Sequence, residues 1–231
     1  MKTTVIIPAA GTGSRMGYQK QLISLKGKPL IIHTVEAFES HEEVDEIFIS
    51  APDCVADVIK SCGFKKVKAI VEGGADRQSS VWACLQKIAD LQTNSQTDLQ
   101  TDSQNILVHD GARPLITQNT ISDILFWVKK GFCVSSGVKS KDTIKITDSD
   151  NIVQSTPARE HMWLVQTPQG FPAHLIADAH RKAMAEGFVG TDDAMLIEHM
   201  GIPVRMVEGD YRNIKITTPE DVPVAEAFMN I

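Results

Sequence analysis

No run in this chain approaches the roughly 20 apolar residues of a membrane span, so no transmembrane helix is expected. The opening MKTTVIIPAAG holds only a short apolar stretch that leads into glycines, and it reads as a first strand, not a signal peptide. Cysteine is scarce: Cys54, Cys62, Cys84 and Cys133 are the only four, no two of them in C-x-x-C spacing. No histidine pair completes a zinc pattern, so the four read as reduced, mostly buried thiols of a cytoplasmic protein. Basic charge is not in excess, with 23 Lys and Arg against 29 Asp and Glu and a formal net charge of -6. A general nucleic-acid binder is usually basic, so that partner is set aside, whereas a small nucleotide needs only a few placed cations. The histidines show neither triad nor metal-ligand spacing. What remains is 231 residues, 42% apolar and 23% charged, enough for one sizeable core and read as a single domain over 1–231.

Strand-like and helix-like runs alternate. The strand candidates are Thr4–Pro8, Glu46–Ala51, Val67–Val71, Asn105–His109, Cys133–Val138, Val204–Val207 and Ile214–Ile216. Several are continuous apolar runs, as strands covered on both faces require. Between Thr117 and Gly131, Ile121, Ile124, Leu125 and Val128 fall at i, i+3, i+4 and i+7, a helical spacing. A last helix is expected to start at Thr218 as cap, with Pro219 in its first turn. The pattern predicts a three-layer α/β/α fold with a mostly parallel, Rossmann-like sheet. Two segments break it. Gln92–Gln104, QTNSQTDLQTDSQ, reads as a mobile polar insertion. Lys141–Pro157 reads as a hairpin turning at Asp148–Asn151, within a protruding β-arm at 139–158. A lone hairpin is marginal in water, so the arm is expected to pack on another subunit.

The strongest local feature is PAAGTGSRMG, Pro8 to Gly17, directly after the first strand. Small residues there let backbone N–H groups approach phosphates at a strand's carboxyl end. A dinucleotide fold wants G-x-G-x-x-G, but after Gly11 and Gly13 the third slot is Met16, and Gly17 comes one late. The P-loop pattern is absent as well. Arg15 and Lys20 add cations suited to a triphosphate. Asp110 follows the run Ile106–His109, at a strand end where one carboxylate suits a magnesium ion carried in by substrate phosphates.

The series A-A-G-x-G-x-R-M, Lys20-Gln21-Leu22 and Gly27-Lys28-Pro29-Leu30 resembles the opening of the erythritol-phosphate cytidylyltransferases, a branch of the sugar-phosphate nucleotidyltransferases. The resemblance continues through GGADRQSSV, HDGARP, KDTIK, TPQGF, TDDA and NIKIT, in order along the chain. It implies transfer of a cytidylyl group from CTP to 2-C-methyl-D-erythritol 4-phosphate, with ribitol 5-phosphate as the alternative acceptor. By resemblance, Arg15, Lys20 and Lys215 act in catalysis and Asp110 binds Mg2+. Pro8, Ala9, Ala10, Gly11, Gly13, Gly73, Gly74, Ser80 and Gly111 hold the nucleotide, with the Ser80 hydroxyl helping to read cytosine. Arg113, Thr143, Arg159, Thr167 and Thr191 hold the acceptor and the reacting phosphates. Position 75 is Ala75 where some relatives carry Asp, so no side-chain role is expected there. His109 is assigned to packing. The resemblance also implies a homodimer whose arms interlock and share active sites.

The implied nucleophile is a phosphate monoester oxygen, whose second pKa of about 6 leaves it largely dianionic near neutral pH. No serine, histidine or cysteine nucleophile is then needed, which accounts for the missing triad.

Overall fold

The computed structural model describes residues 1–11, 19–93 and 104–231. Gly13, Arg15, Met16 and Gly17 of the glycine loop, and 94–103 of the polar insertion, lie outside the described residues. The elements, in chain order, begin with β1 (Lys2–Pro8), β2 (Ser24–Leu25), β3 (Lys28–Pro29), α1 (Leu30–Glu39), β4 (Glu46–Ser50) and α2 (Asp53–Ser61). Next come β5 (Val67–Val71), α3 (Arg77–Thr93), β6 (Gln104–Val108), α4 (Gln118–Val128) and β7 (Cys133–Lys139). The chain finishes with β8 (Ile146–Thr147), β9 (Val153–Ser155), β10 (Trp163–Pro172), α5 (Ala173–Glu186), α6 (Asp193–His199), β11 (Val204–Glu208) and α7 (Asp221–Phe228).

Seven strands form one sheet in the order β11-β7-β10-β6-β1-β4-β5. All its pairings are parallel except those of β10, which runs antiparallel to both neighbours. Alternate residues of β1 feed opposite faces. Val5 and Ile7 join a core with α1, α2 and α4, while Ile6 joins a second with α3, α5 and α6. The continuous apolar runs thus mark strands covered on both sides, and the expected three layers are present. A smaller cluster of Leu25, Leu30, Ile216 and Ala225 seats α7 against β2 and the start of α1.

Several expectations need correction. Ile214–Ile216 is not a strand. Ile216 is buried, but its amide bonds only to the Ala112 carbonyl (2.9 Å) and no ladder forms. The TPQGF motif, in turn, lies inside a central strand, β10. Its pairing with β7 shifts register between Val165 and Gln169, which takes Pro168 out of the ladder and lets a proline sit there. The final helix starts at Asp221, after a turn at Thr218–Pro219. Asp221 Oδ2 accepts from the amides of Thr217 (2.7 Å) and Thr218 (2.9 Å), tying the preceding turn to the first helical residue, and no side chain caps the helix. Of the four cysteines, only Cys84 and Cys133 are buried. Cys54 is exposed because α2 turns Val55, Ala56 and Ile59 inward.

The ends of the polar insertion are not loop. Gln92 lies in the last turn of α3, Gln104 opens β6, and both are buried, with Gln92 Nε2 donating to Gln104 Oε1 at 2.5 Å. Replacing 94–103 by a short Gly-Ser connection should therefore leave melting temperature and turnover near parental. Loop closure changes by only about 0.6 kcal/mol per doubling of length. A large loss of turnover in that variant would give the segment a working role instead. Among the described residues, no helix is long and apolar enough to cross a membrane.

Candidate active site

The carboxyl ends of β1, β5 and β6 surround a cleft of about 280 Å³, where open α/β sheets take ligands. Pro8, Ala10 and Gly11 form one wall and the loop after β5 another, with Lys20 and Lys215 also lining it. Gln21 shapes the first wall: its buried Nε2 donates to the carbonyls of Ala9 (2.7 Å) and Gly11 (2.9 Å). Gly73 is required by contact, since a Cβ there would come within 1.9 Å of the Ala10 Cβ. At Gly111, which follows β6, a Cβ would approach the Ala9 Cβ to 3.0 Å.

The loop after β5 is braced by its own side chains. Asp76 Oδ1 accepts from the Ser79 amide (2.7 Å), capping α3, and the Ser79 bonds hold the Asp76 carboxyl below its usual range. Ser80 Oγ donates to the Asp76 carbonyl (2.7 Å) and accepts from the Gly74 amide (3.1 Å). The Ser80 hydroxyl thus also holds the loop.

Asp110 is the hub. Its Oδ1 accepts from Arg77 Nε (2.9 Å), its Oδ2 from Lys215 Nζ (2.7 Å), and Arg113 Nε stands 3.9 Å from Oδ2. Burial alone would raise its pKa, but the Arg77 and Lys215 cations hold the carboxyl well below the usual range. His109 is fully buried and does more than pack. Its Nε2 donates to the Arg113 carbonyl (2.9 Å), leaving Nδ1 to accept from the Thr167 hydroxyl (3.1 Å). Thr167 Oγ1 accepts in turn from the Asp110 amide (3.0 Å). Burial pushes the His109 pKa down to about 4, so the imidazole stays neutral.

Beyond Asp110 lies a second cleft of about 210 Å³, bordered by Arg113, Thr167 and Thr191 and sharing Arg77, Asp110 and Lys215 with the first. Arg113 Nη1 donates to the Asn213 carbonyl (2.7 Å), and Asn213 Nδ2 donates to the Thr167 carbonyl (2.8 Å). Two ligand-sized spaces therefore meet at one carboxylate and its cations.

Thr143 and Arg159 are not brought into either cleft. Both are exposed, Thr143 in the arm and Arg159 at its base, with Arg159 Nη1 donating to the Lys141 carbonyl (3.2 Å). The hairpin β8–β9 is exposed along its length, including Ile146, Ile152 and Val153. Gln21, Arg77, Gln169, Asp193 and Asn213 were given no role by the sequence. All five sit inside or beside the quoted motifs, which was the available signal.

A family model for 2-C-methyl-D-erythritol 4-phosphate cytidylyltransferase matches residues 3–231. A protein of that name from Chlorobium luteolum is 46% identical over 240 residues, covering 99% of this chain and 98% of its own. Another, from Geobacter metallireducens, is 44% identical over 236 residues, with 99% and 98% covered. The solved 4-diphosphocytidyl-2C-methyl-D-erythritol synthase from Anaerococcus prevotii superposes with a TM-score of 0.85 at 33% identity, covering 100% of this chain and 96% of that one. The 2-C-methyl-D-erythritol 4-phosphate cytidylyltransferase from Thermus thermophilus superposes with a TM-score of 0.77 at 29% identity, with both chains fully covered.

Proposed function

The chain belongs to the 2-C-methyl-D-erythritol 4-phosphate cytidylyltransferase family, and from that premise we propose how its own residues divide the reaction between two clefts. The enzyme transfers a cytidylyl group from CTP to 2-C-methyl-D-erythritol 4-phosphate in isoprenoid precursor synthesis, releasing 4-diphosphocytidyl-2-C-methyl-D-erythritol and pyrophosphate. Ribitol 5-phosphate as acceptor is not favoured.

The carrying observation is the meeting of the two clefts at Asp110 and Lys215. CTP takes the larger one. Pro8, Ala9, Ala10, Gly11 and Gly13 cradle the phosphates, with Gly111 beneath, while Gly73 and Gly74 present backbone groups to cytosine and Ser80 keeps them in place. The acceptor phosphate takes the smaller one, held by Arg113, Thr167 and Thr191. One of its oxygens attacks the α-phosphorus in line. The new P–O bond forms as the bond to the bridging oxygen breaks, and pyrophosphate leaves with that electron pair. Both reactants are anions, so the difficulty is electrostatic. Arg15, Lys20 and Lys215 offset it by donating to phosphate oxygens as charge shifts toward the leaving group.

Asp110 would hold the magnesium ion. It is a lone carboxylate at the junction, and among the described residues no group of three His, Cys, Asp or Glu could hold a metal without substrate. That donor set fits an ion that brings phosphate and water as its other ligands, which is the habit of magnesium. Bound there, the ion supplies neutralisation of phosphate charge. For Lys215, release from Asp110 and transfer to a phosphate is the matching step. Asp110→Asn should raise the magnesium concentration needed for half-maximal pyrophosphate release, and it should also lower the melting temperature, because Arg77 and Lys215 lose the carboxylate they share. Parental activity at limiting magnesium would remove the metal role.

The domain is a single catalytic unit with 139–158 as a dimerisation arm. The exposure of Ile146, Ile152 and Val153 on a hairpin without a core of its own supports this. In a two-fold dimer the arm carries Thr143 and Arg159 to the partner's acceptor cleft. Free cysteines and the nucleotide substrate fit a cytoplasmic enzyme.

A further inference from the structure

Arg77 opens α3, immediately after the loop assigned to cytosine, and its guanidinium is a fork between two acids. Nε donates to Asp110 Oδ1 at 2.9 Å, and Nη1 donates to Asp193 Oδ2 at 2.7 Å. Asp193 opens α6, two residues after Thr191 of the acceptor cleft, and only 1% of its side chain is exposed. It is itself fixed from two other elements. His180 Nε2 of α5 lies 3.0 Å from Oδ1, and the Asp193 amide donates to Gln169 Oε1 of β10 at 3.1 Å.

Burying such a pair costs more desolvation than apolar side chains of the same size would, so stability alone is a weak reason for it. What the fork does supply is direction. Arg has a planar, rigid set of donors, and a lysine cannot span two acids in this way. The outcome is an asymmetric Asp110: Oδ1 is locked to a guanidinium that is locked to the protein interior, while Oδ2 faces the half-exposed ammonium of Lys215 at 2.7 Å and, farther off, Arg113 Nε at 3.9 Å.

We propose that Arg77 and Asp193 are a positioning pair that fixes the Asp110 carboxylate and joins the cytosine loop to the acceptor cleft, so that both substrates register on the same oxygen. This rests on the reading of Asp110 given above. Neither residue of the pair is asked to touch a reacting atom.

The test is steady-state pyrophosphate release by Arg77→Lys, which keeps the charge, and Asp193→Asn, which keeps the shape, with thermal melts alongside. Loss of a group that orients a ligating residue typically costs about 10–100-fold. That fall is expected in kcat, with KM for CTP and for the acceptor within about threefold and the magnesium requirement raised. His180→Gln leaves both charges in place and should fold even if the others do not; its kcat should fall in the same direction by less. A lowered melt with kcat within about twofold of the parent in every variant that folds would make the pair a structural ion pair and overturn the proposal. A loss confined to KM for CTP would overturn it too, because the unpartnered Nη2 of Arg77 would then be a nucleotide ligand. Asp110→Asn in the same series separates the two levels. If Asp110→Asn is crippled while the pair variants are not, only the pair fails. If Asp110→Asn is itself parental, the reading of Asp110 fails with it.

Discussion

Lys20→Ala should lower turnover by roughly 10²–10³-fold, the usual cost of removing one donor to a developing negative charge. Lys20 opens a short 3-10 turn at Lys20–Leu22 and lines the larger cleft, as Lys215 does. The neighbouring Gln21 fixes that turn to the Ala9 and Gly11 carbonyls, so the backbone beneath Lys20 does not depend on its ammonium. The variant should therefore melt near the parent. Steady-state kinetics with varied CTP checks the assignment. A fall in kcat with KM little changed marks an interaction made in the transition state, whereas a rise in KM at constant kcat would make Lys20 a ground-state anchor.

The second large effect concerns two variants that are each nearly inactive. Arg159→Ala and Lys20→Ala should regain activity when co-expressed or refolded together. Arg159 is exposed at the base of the arm and lines neither cleft of its own chain. If the arm delivers it to the partner, a mixed dimer has one site with both lesions and one with neither. With equal random mixing about a quarter of all sites would be intact, because the two-fold dimer holds two equivalent composite sites. Pyrophosphate release from the mixture, set against each variant alone, reads the result. If Arg159 serves its own chain, every site carries a lesion and the mixture stays silent.

How far these features were legible differs by residue. The sheet order was open to sequence only in class. Runs such as VII and ILV announced buried parallel strands, and they proved to be β1 and β6 at its centre. The antiparallel β10 was hidden because Thr-Pro-Gln-Gly has turn composition, and only the register shift accommodates its proline. NIKIT had strand composition yet forms none, since its segment is tied to Ala112 by one bond and to α7 by side chains. At the site, Asp110, Lys215, Arg113, Thr167 and Thr191 were named from motifs and do converge. The bonds by which Ser80 braces the loop after β5 and His109 holds Thr167 were not legible, because a motif names a hydroxyl or an imidazole but not its partners. Arg77 and Asp193 are 116 residues apart, and no local pattern joins them.

The contact of Lys215 with Asp110 at 2.7 Å has a consequence for selectivity against simple ions. A resting site that kept its cations unpaired would be a trap for sulfate or inorganic phosphate. Here the ammonium already has an anion, and so does the guanidinium of Arg77. A small lone anion that took either of these two cations would break an internal pair and deprive a buried carboxylate of that partner. On the proposed assignment of Asp110, a polyphosphate arriving with its own divalent cation would supply both partners at once, phosphate for the lysine and the cation for the aspartate. Inorganic phosphate should accordingly be a poor competitor of CTP even at high concentration, and the resting enzyme needs no borrowed counterion to stay intact.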